Sequence, residues 1–185
     1  IAGTGSLGID RYVILVEGQG SPDCNYLIDL KEAISSALKP FIKYPQPKWQ
    51  SEAHRVASVQ HWVQAIAPAF MSPVIFQDRP FVLKGLQATQ DRLALEKWNG
   101  KLKRLEQVVL SMGELVAWSH LRGSGRSGSA IADKLIQFGN RRDWQSNLLQ
   151  YATSYALKIE ADWKAYCLDY DRSGKTWCES KRKKK

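Results

Sequence analysis

The feature that most limits the fold lies at residues 3–8, which read Gly-Thr-Gly-Ser-Leu-Gly. Three glycines at this spacing open many folds, and the residues after the loop decide among them. A dinucleotide-binding fold needs a helix directly after the loop. Here residues 11–17 are few and rich in Val and Ile, and Gly18, Gly20, Ser21 and Pro22 then mark a turn. A P-loop needs Gly-Lys-Ser/Thr after its glycines, and this loop has none. A second run, residues 26–32, comes after the turn and carries Lys31 near its end. The pattern is a glycine loop, a strand, a turn and a second strand ending in a lysine.

That order suits the phosphates of a nucleotide, as in the glycine-rich loop that covers them in protein kinases. Glycines let backbone amides approach phosphate oxygens and adopt positive φ without a Cβ clash. Lys31 would set a point charge beside those oxygens. The residues alone fit a tight turn and a surface lysine equally well.

Further along, residues 32–38 read as a short helical turn, and Pro40, Pro45 and Pro47 force an irregular connection. Ser51 is a candidate cap for an amphipathic helix over 52–67, with Ala53, Val56, Val59, Val63 and Ile66 at helical spacing. Strands over 74–77 and 81–86 come next, with residues 78–80 as their turn. The back of the chain reads as helical. A long helix runs from about Leu102 to His120, and a Gly/Ser/Arg loop covers 122–129. A helix from about Ser129 stops at Gly139-Asn140, and a last helix starts near Asp143. The last helix carries Trp144, Tyr151, Tyr155, Trp163 and Tyr166 on a stripe whose regular spacing points to packing.

At 185 residues the chain is long enough for one medium domain. No run approaches the roughly 18 apolar residues of a membrane span, and no secretory signal is visible. Cys24, Cys167 and Cys178 are odd in number and far apart, and the three histidines lack zinc-ligand spacing. A reduced, cytoplasmic setting fits them. The net charge of +9 is uneven: residues 172–185 carry seven basic residues and one acid, leaving +3 for the rest. Such a run reads as a solvated, disordered tail, and the expectation is against a nucleic-acid or membrane partner. The first residue is Ile1 and the loop starts two residues later, so a fragment lacking its first strand is expected.

The glycine loop with Arg11-Tyr12, then Leu30-Lys31-Glu32-Ala33, then His54-Arg55-Val56 and Gln60, resembles domain-of-unknown-function family 2252 of bacteria. The segment from Leu115 to Arg122, Leu-Val-Ala-Trp-Ser-His-Leu-Arg, is similar to that family's helix ending in Ala-His-Ala-Arg-Ser-Gly-Asp. Tyr155-Ala156 and Glu160-Ala161-Asp162 match its carboxy-terminal region, and the resemblance covers roughly residues 1–171.

The resemblance implies an α+β, protein-kinase-like fold: a small antiparallel-sheet lobe with one helix, then a helical region. Longer members carry Gly-Asp-x-His-x-x-Asn-Phe-Gly and Asp-Phe-Asp segments ahead of the glycine loop, as if the lobes were permuted. Neither segment occurs in this chain, which implies the carboxy-terminal part of such a domain. The implied divisions are a nucleotide lobe over 1–88, a helical region over 89–171 and a basic tail over 172–185. Gly3, Gly5, Ser6 and Gly8 would form the phosphate loop for ATP and Mg²⁺, and Lys31 would pair with the phosphates. The helix over 52–67 would stand where kinases present a glutamate, with Glu52 and Gln60 as candidates. Asp10 takes the place of the valine that packs on the base. Gln60, His120 and Arg122 are possible site residues, the last two reading equally as a helix cap and a solvated side chain.

The expected function is an ATP-dependent phosphotransferase for an unidentified acceptor. This chain would supply the phosphate lobe, and the amino-terminal lobe of the same protein would be its partner. Catalytic and metal residues would lie outside the chain, which alone would be inactive. The alternative is a non-catalytic nucleotide-binding or regulatory module. A nucleic-acid binder acting through the tail and residues 122–126 ranks last.

Overall fold

Short runs rich in Val, Ile and Leu build the sheet. In the computed structural model, which describes residues 6–88 and 93–172 apart from the side chain of Glu96, strand β1 (Arg11–Val16) pairs antiparallel with β2 (Tyr26–Glu32). β2 pairs with β4 (Arg79–Gly85), and β3 (Ser72–Phe76) pairs with β4. The strand order is β1-β2-β4-β3. Helix α1 (Glu52–Val63) connects β2 to β3. The class is α+β, with α2 (Leu102–Gly123), α3 (Ala132–Gly139) and α4 (Asp143–Arg172) after the sheet.

Register assigns the two sheet faces. Arg11 opposes Lys31, Lys31 opposes Val82, and Asp29 opposes Lys84, so these five residues share one face. α1 packs on that face. Buried Ala33, Ala53 and Val82 form its core, with Val56 against them. Ala53 and Ala57 are buried small residues on the packed side of α1, and they let the helix approach the strands closely. The other face is aromatic. Phe81 is fully buried there, with its ring centroid 6.0 Å from Tyr12 and 5.7 Å from Phe76.

Several local expectations shift. Residues 32–38 do not form a helical turn. Glu32 ends β2, and a 3-10 turn follows only later, at Lys39–Phe41 around Pro40. Ser51 does cap α1, its hydroxyl accepting the His54 N–H at 3.1 Å. α1 ends at Val63 rather than 67, because Gln64 is already extended. Pro68 cannot donate to the Gln64 carbonyl and biases Ala67 away from helix, so residues 64–67 gain little by continuing it. The β3–β4 turn is Gln77-Asp78, both at positive φ, not residues 78–80. Arg79 and Pro80 belong to β4, where the Pro80 carbonyl accepts the Ala33 N–H. α2 runs three residues past His120, and α3 begins after Ile131.

The described residues fall into two compact units that divide within α3, after Leu135. In the second, Phe138 stacks on Trp144, whose indole N–H donates to the Phe138 carbonyl at 3.1 Å. α4 has 30 residues, of which only Cys167 is buried. Among the described residues the aromatic stripe is therefore not core packing: Tyr151, Tyr155, Trp163 and Tyr166 are exposed and stack along the helix as Tyr151–Tyr155 and Trp163–Tyr166. Ion pairs Lys158–Asp162 and Glu160–Lys164 support it at i,i+4. Among the described residues, no helix is long and apolar enough to cross a membrane.

Candidate functional site

The loop reaches β1 through a tight turn. Ser6 is buried, the Ile9 N–H meets the Ser6 carbonyl at 3.5 Å, and Gly8 has φ +76°. A side chain at Gly8 would strain the backbone, although the space around its Cβ position is open. Ser6 and Gly8 thus sit directly ahead of the sheet, whereas Gly3 and Gly5 lie outside the described residues.

Beneath the turn, a cavity of about 310 Å³ opens between the sheet and α1. Ile9 lines it on the loop side, and Lys31 enters from β2. Lys84 enters from β4 and Gln60 from α1. The structure therefore brings Lys31 and Gln60 to one cavity. Glu52 goes elsewhere. Its carboxylate accepts from Arg55 Nε at 2.6 Å and from the Ser35 hydroxyl at 3.1 Å. The Arg55 bond, with smaller help from Arg55 charge, Ser35 and Lys39, holds the Glu52 carboxyl below the usual range against a desolvation penalty. Glu32 also lines the cavity, but its carboxylate accepts from Arg79 Nη1 at 3.2 Å and from the Asp10 N–H at 3.1 Å.

Two charge clusters lie on the two faces of the sheet, and the sequence reading missed both. On the aromatic face, Arg79 bridges Asp10 and Glu32 while lying over the Phe81 ring. Asp10, odd beside a base, is thereby an anchor between the end of the loop and the β3–β4 hairpin. On the α1 face, Arg11 binds Asp29 in a fork, Nε to Oδ1 at 2.5 Å and Nη2 to Oδ2 at 3.1 Å. The Asp29 side chain is 2% exposed and that of Arg11 30%. This bond, opposed by desolvation, pushes the Arg11 guanidinium above its ordinary value. Both clusters link residues 18 to 69 positions apart. Only strand register reveals them. The available signal was alternation: Arg11, Asp29 and Lys31 are spaced to share a face once β1 and β2 pair.

His120 and Arg122 are exposed near the end of α2 and do not line the cavity. Both lie in the last turn, where positive charge complements the helix dipole. The loop after α2 is held by Arg126, which donates to the Arg122 carbonyl at 3.2 Å and lies 5.9 Å from the Trp62 ring centroid. A smaller cleft of about 180 Å³ lies beside the start of α2, lined in part by Lys97, Lys101 and Arg104. Among the described residues, no group of three His, Cys, Asp or Glu side chains could hold a metal. The basic residues after Arg172 lie outside the described residues.

Comparison with known families gives one match. The family described as an uncharacterized protein conserved in bacteria, DUF2252, matches residues 1–169, so the chain belongs to that family. No curated protein and no solved structure matches it.

Proposed function

We propose that this DUF2252 chain supplies the nucleotide-phosphate lobe of a kinase-like, ATP-dependent phosphotransferase. The observation that carries this reading is the shared cavity: Lys31 and Gln60 line it from opposite elements, and Ile9, next to the Gly8 turn, lines it too. The element order strand, strand, helix, strand, strand, with the helix packed over the lysine-bearing face, supports the kinase-like reading. In this reading loop amides and Lys31 hold the phosphates of Mg²⁺-ATP. Aspartates outside this chain hold the metal and orient the acceptor hydroxyl. Phosphoryl transfer depends on positioning and charge stabilisation, so these 185 residues alone should bind without transferring.

Calorimetry with Mg²⁺-ATP tests the reading, wild type beside Lys31→Met. Binding that weakens about tenfold or more in a folded variant is the expected result, the size of one lost charge-assisted contact. Equal binding in both proteins would remove Lys31 from the site.

A second reading is a non-catalytic nucleotide-binding module. It is favoured by Gln60, which puts an amide where a carboxylate would pair with Lys31, and by the engagement of Glu52 with Arg55. In the whole protein, Lys31→Met should abolish turnover under the first reading. Under the second it should change only binding.

A further inference from the structure

The two edges of the sheet are not alike. β1 and β3 are its outer strands. Backbone groups alternate sides along a strand. The Glu32 N–H bonds the Asp10 carbonyl at 2.9 Å, in the register that sets Arg11 against Lys31. Tyr12, Ile14 and Val16 therefore face β2, and Arg11, Val13 and Leu15 turn their N–H and C=O groups to the outer edge.

At β3 the outer edge is blunted. The Leu86 N–H meets the Leu27 carbonyl and the Ala33 N–H meets the Pro80 carbonyl, so the even-numbered residues of β4 face β2. The odd-numbered ones face β3 and pair with Ser72, Val74 and Phe76. Pro73 is thereby turned outward, where it has no N–H to offer. β1 lacks such protection. It holds no proline, and its one charged residue, Arg11, is tied to Asp29. All six of its residues are exposed, Val13 by 56% and Leu15 by 66%. Among the described residues no strand pairs with its outer side. An apolar edge of this kind is a template for one more strand.

The sequence of β1 selects the strand that fits. A second β1 can be laid antiparallel beside the first and centred on Ile14. Arg11 then stands opposite Glu17 of the second copy, the exposed residue directly after the strand. Between those ends Tyr12 meets Val16, Val13 meets Leu15, and Ile14 meets its own counterpart. Opposite charges close both ends, and every pair between them is apolar. Moving the centre to Val13 or Leu15 loses both charge pairs. The backbone agrees with the same centre. Val13 and Leu15, both turned outward, form a hydrogen-bonded pair, and Ile14 falls on the two-fold axis at a non-hydrogen-bonded one. The fork to Asp29 uses Nε and Nη2 of Arg11, so Nη1 is the group that meets Glu17.

We infer that β1 is a self-recognition edge: two copies of this chain join β1 to β1, antiparallel about Ile14, into one continuous sheet. The pairing uses both β1 edges and the β3 edges are blunted, so assembly stops at two.

Sedimentation velocity on the full chain tests this over about 1–300 µM. Wild type should pass from monomer to dimer within that range, because a six-residue edge is small for an interface. Leu15→Lys changes an exposed side chain, sets an ammonium against Val13 and should weaken the dimer about tenfold or more. Glu17→Arg puts like charges opposite each other twice per dimer and should weaken it about tenfold. Mild oxidation reads the register, in a Cys24→Ser, Cys178→Ser background. Ile14→Cys should give a disulfide-linked dimer, since its counterpart lies directly across the axis. Val16→Cys should not, because its counterpart lies about 13 Å further along the strand. A folded wild type that stays monomeric throughout would overturn the inference and leave the edge to a strand from elsewhere. So would a dimer untouched by Leu15→Lys and Glu17→Arg, linkage through Val16→Cys in place of Ile14→Cys, or growth beyond two copies.

Discussion

The sheet with α1 and the long helix α4 are held together in opposite ways. The sheet is fixed by contacts between residues far apart in sequence: the Phe81 cluster, the Arg11–Asp29 fork and the bridge from Arg79 to Asp10 and Glu32. α4 is described by contacts three or four residues apart, ion pairs and ring stacks along its surface. The first kind of structure is cooperative, because each contact closes a long loop. The second gains a few tenths of a kcal/mol per pair, roughly, and each pair stands by itself. One substitution should therefore be costly in the sheet and cheap on α4.

Phe81→Ala against Trp163→Ala is the sharpest form of that comparison. Removing the fully buried Phe81 ring should cost about 3–5 kcal/mol. Trp163 is larger, but it is half exposed and stacks on Tyr166 along the helix surface, so its loss should cost about 0.5 kcal/mol or less. Urea unfolding of both variants checks this. A similar cost for the two would mean that the α4 stripe is covered in solution, and the contrast between the regions would collapse.

Arg11→Ala comes next. It leaves the Asp29 carboxylate buried without its guanidinium. Breaking a fully buried pair costs about 3–5 kcal/mol, and the partial exposure of Arg11 reduces this to roughly 2 kcal/mol. Arg11→Ala with Asp29→Asn should recover part of the loss, since the stranded charge is then gone. If the double variant is no more stable than the single, the stranded Asp29 charge is not the source of the loss.

How much of this was legible in the sequence divides in the same way. Strand order along the chain, the Ser51 cap and the start of α4 at Asp143 are local properties, carried by alternation, capping chemistry and helical spacing. The sharing of one cavity by Lys31 and Gln60 needed only the idea that the helix lies over the lysine face. The ion pairs were not legible. Asp10 reads as a misfit beside a glycine loop until Arg79, 69 residues away, is placed next to it. Asp29 reads as a polar interruption in an apolar strand until the register sets Arg11 diagonal to it. The α4 stripe failed differently. Spacing identifies an aromatic face but does not say what covers it, and among the described residues the face is exposed. The β3–β4 turn was displaced because Pro80 signals a break, although its carbonyl still serves the sheet at the end of the β2 pairing.

The smallest effect lies where the two regimes meet, at the amino terminus of α1. Glu52 pairs with Arg55 three residues on, a local contact like those of α4, and it also accepts from Ser35 beyond the helix. Its carboxyl is held below the ordinary range, chiefly by the Arg55 bond. A group depressed on folding contributes stability that is complete above its unfolded value and is lost as pH falls through the folded one. Acidification below the usual glutamate range should therefore weaken the wild type slightly more than Glu52→Gln, which has no such charge to lose. With the pair about a third exposed, solvent screening keeps the difference to a few tenths of a kcal/mol, roughly. Thermal melts of both proteins between neutral and strongly acidic pH would read it as two curves converging toward low pH. Parallel curves would show that the Glu52 contacts form without contributing to stability, and that the packing of Ala53, Val56 and Ala57 holds α1 to the sheet without them.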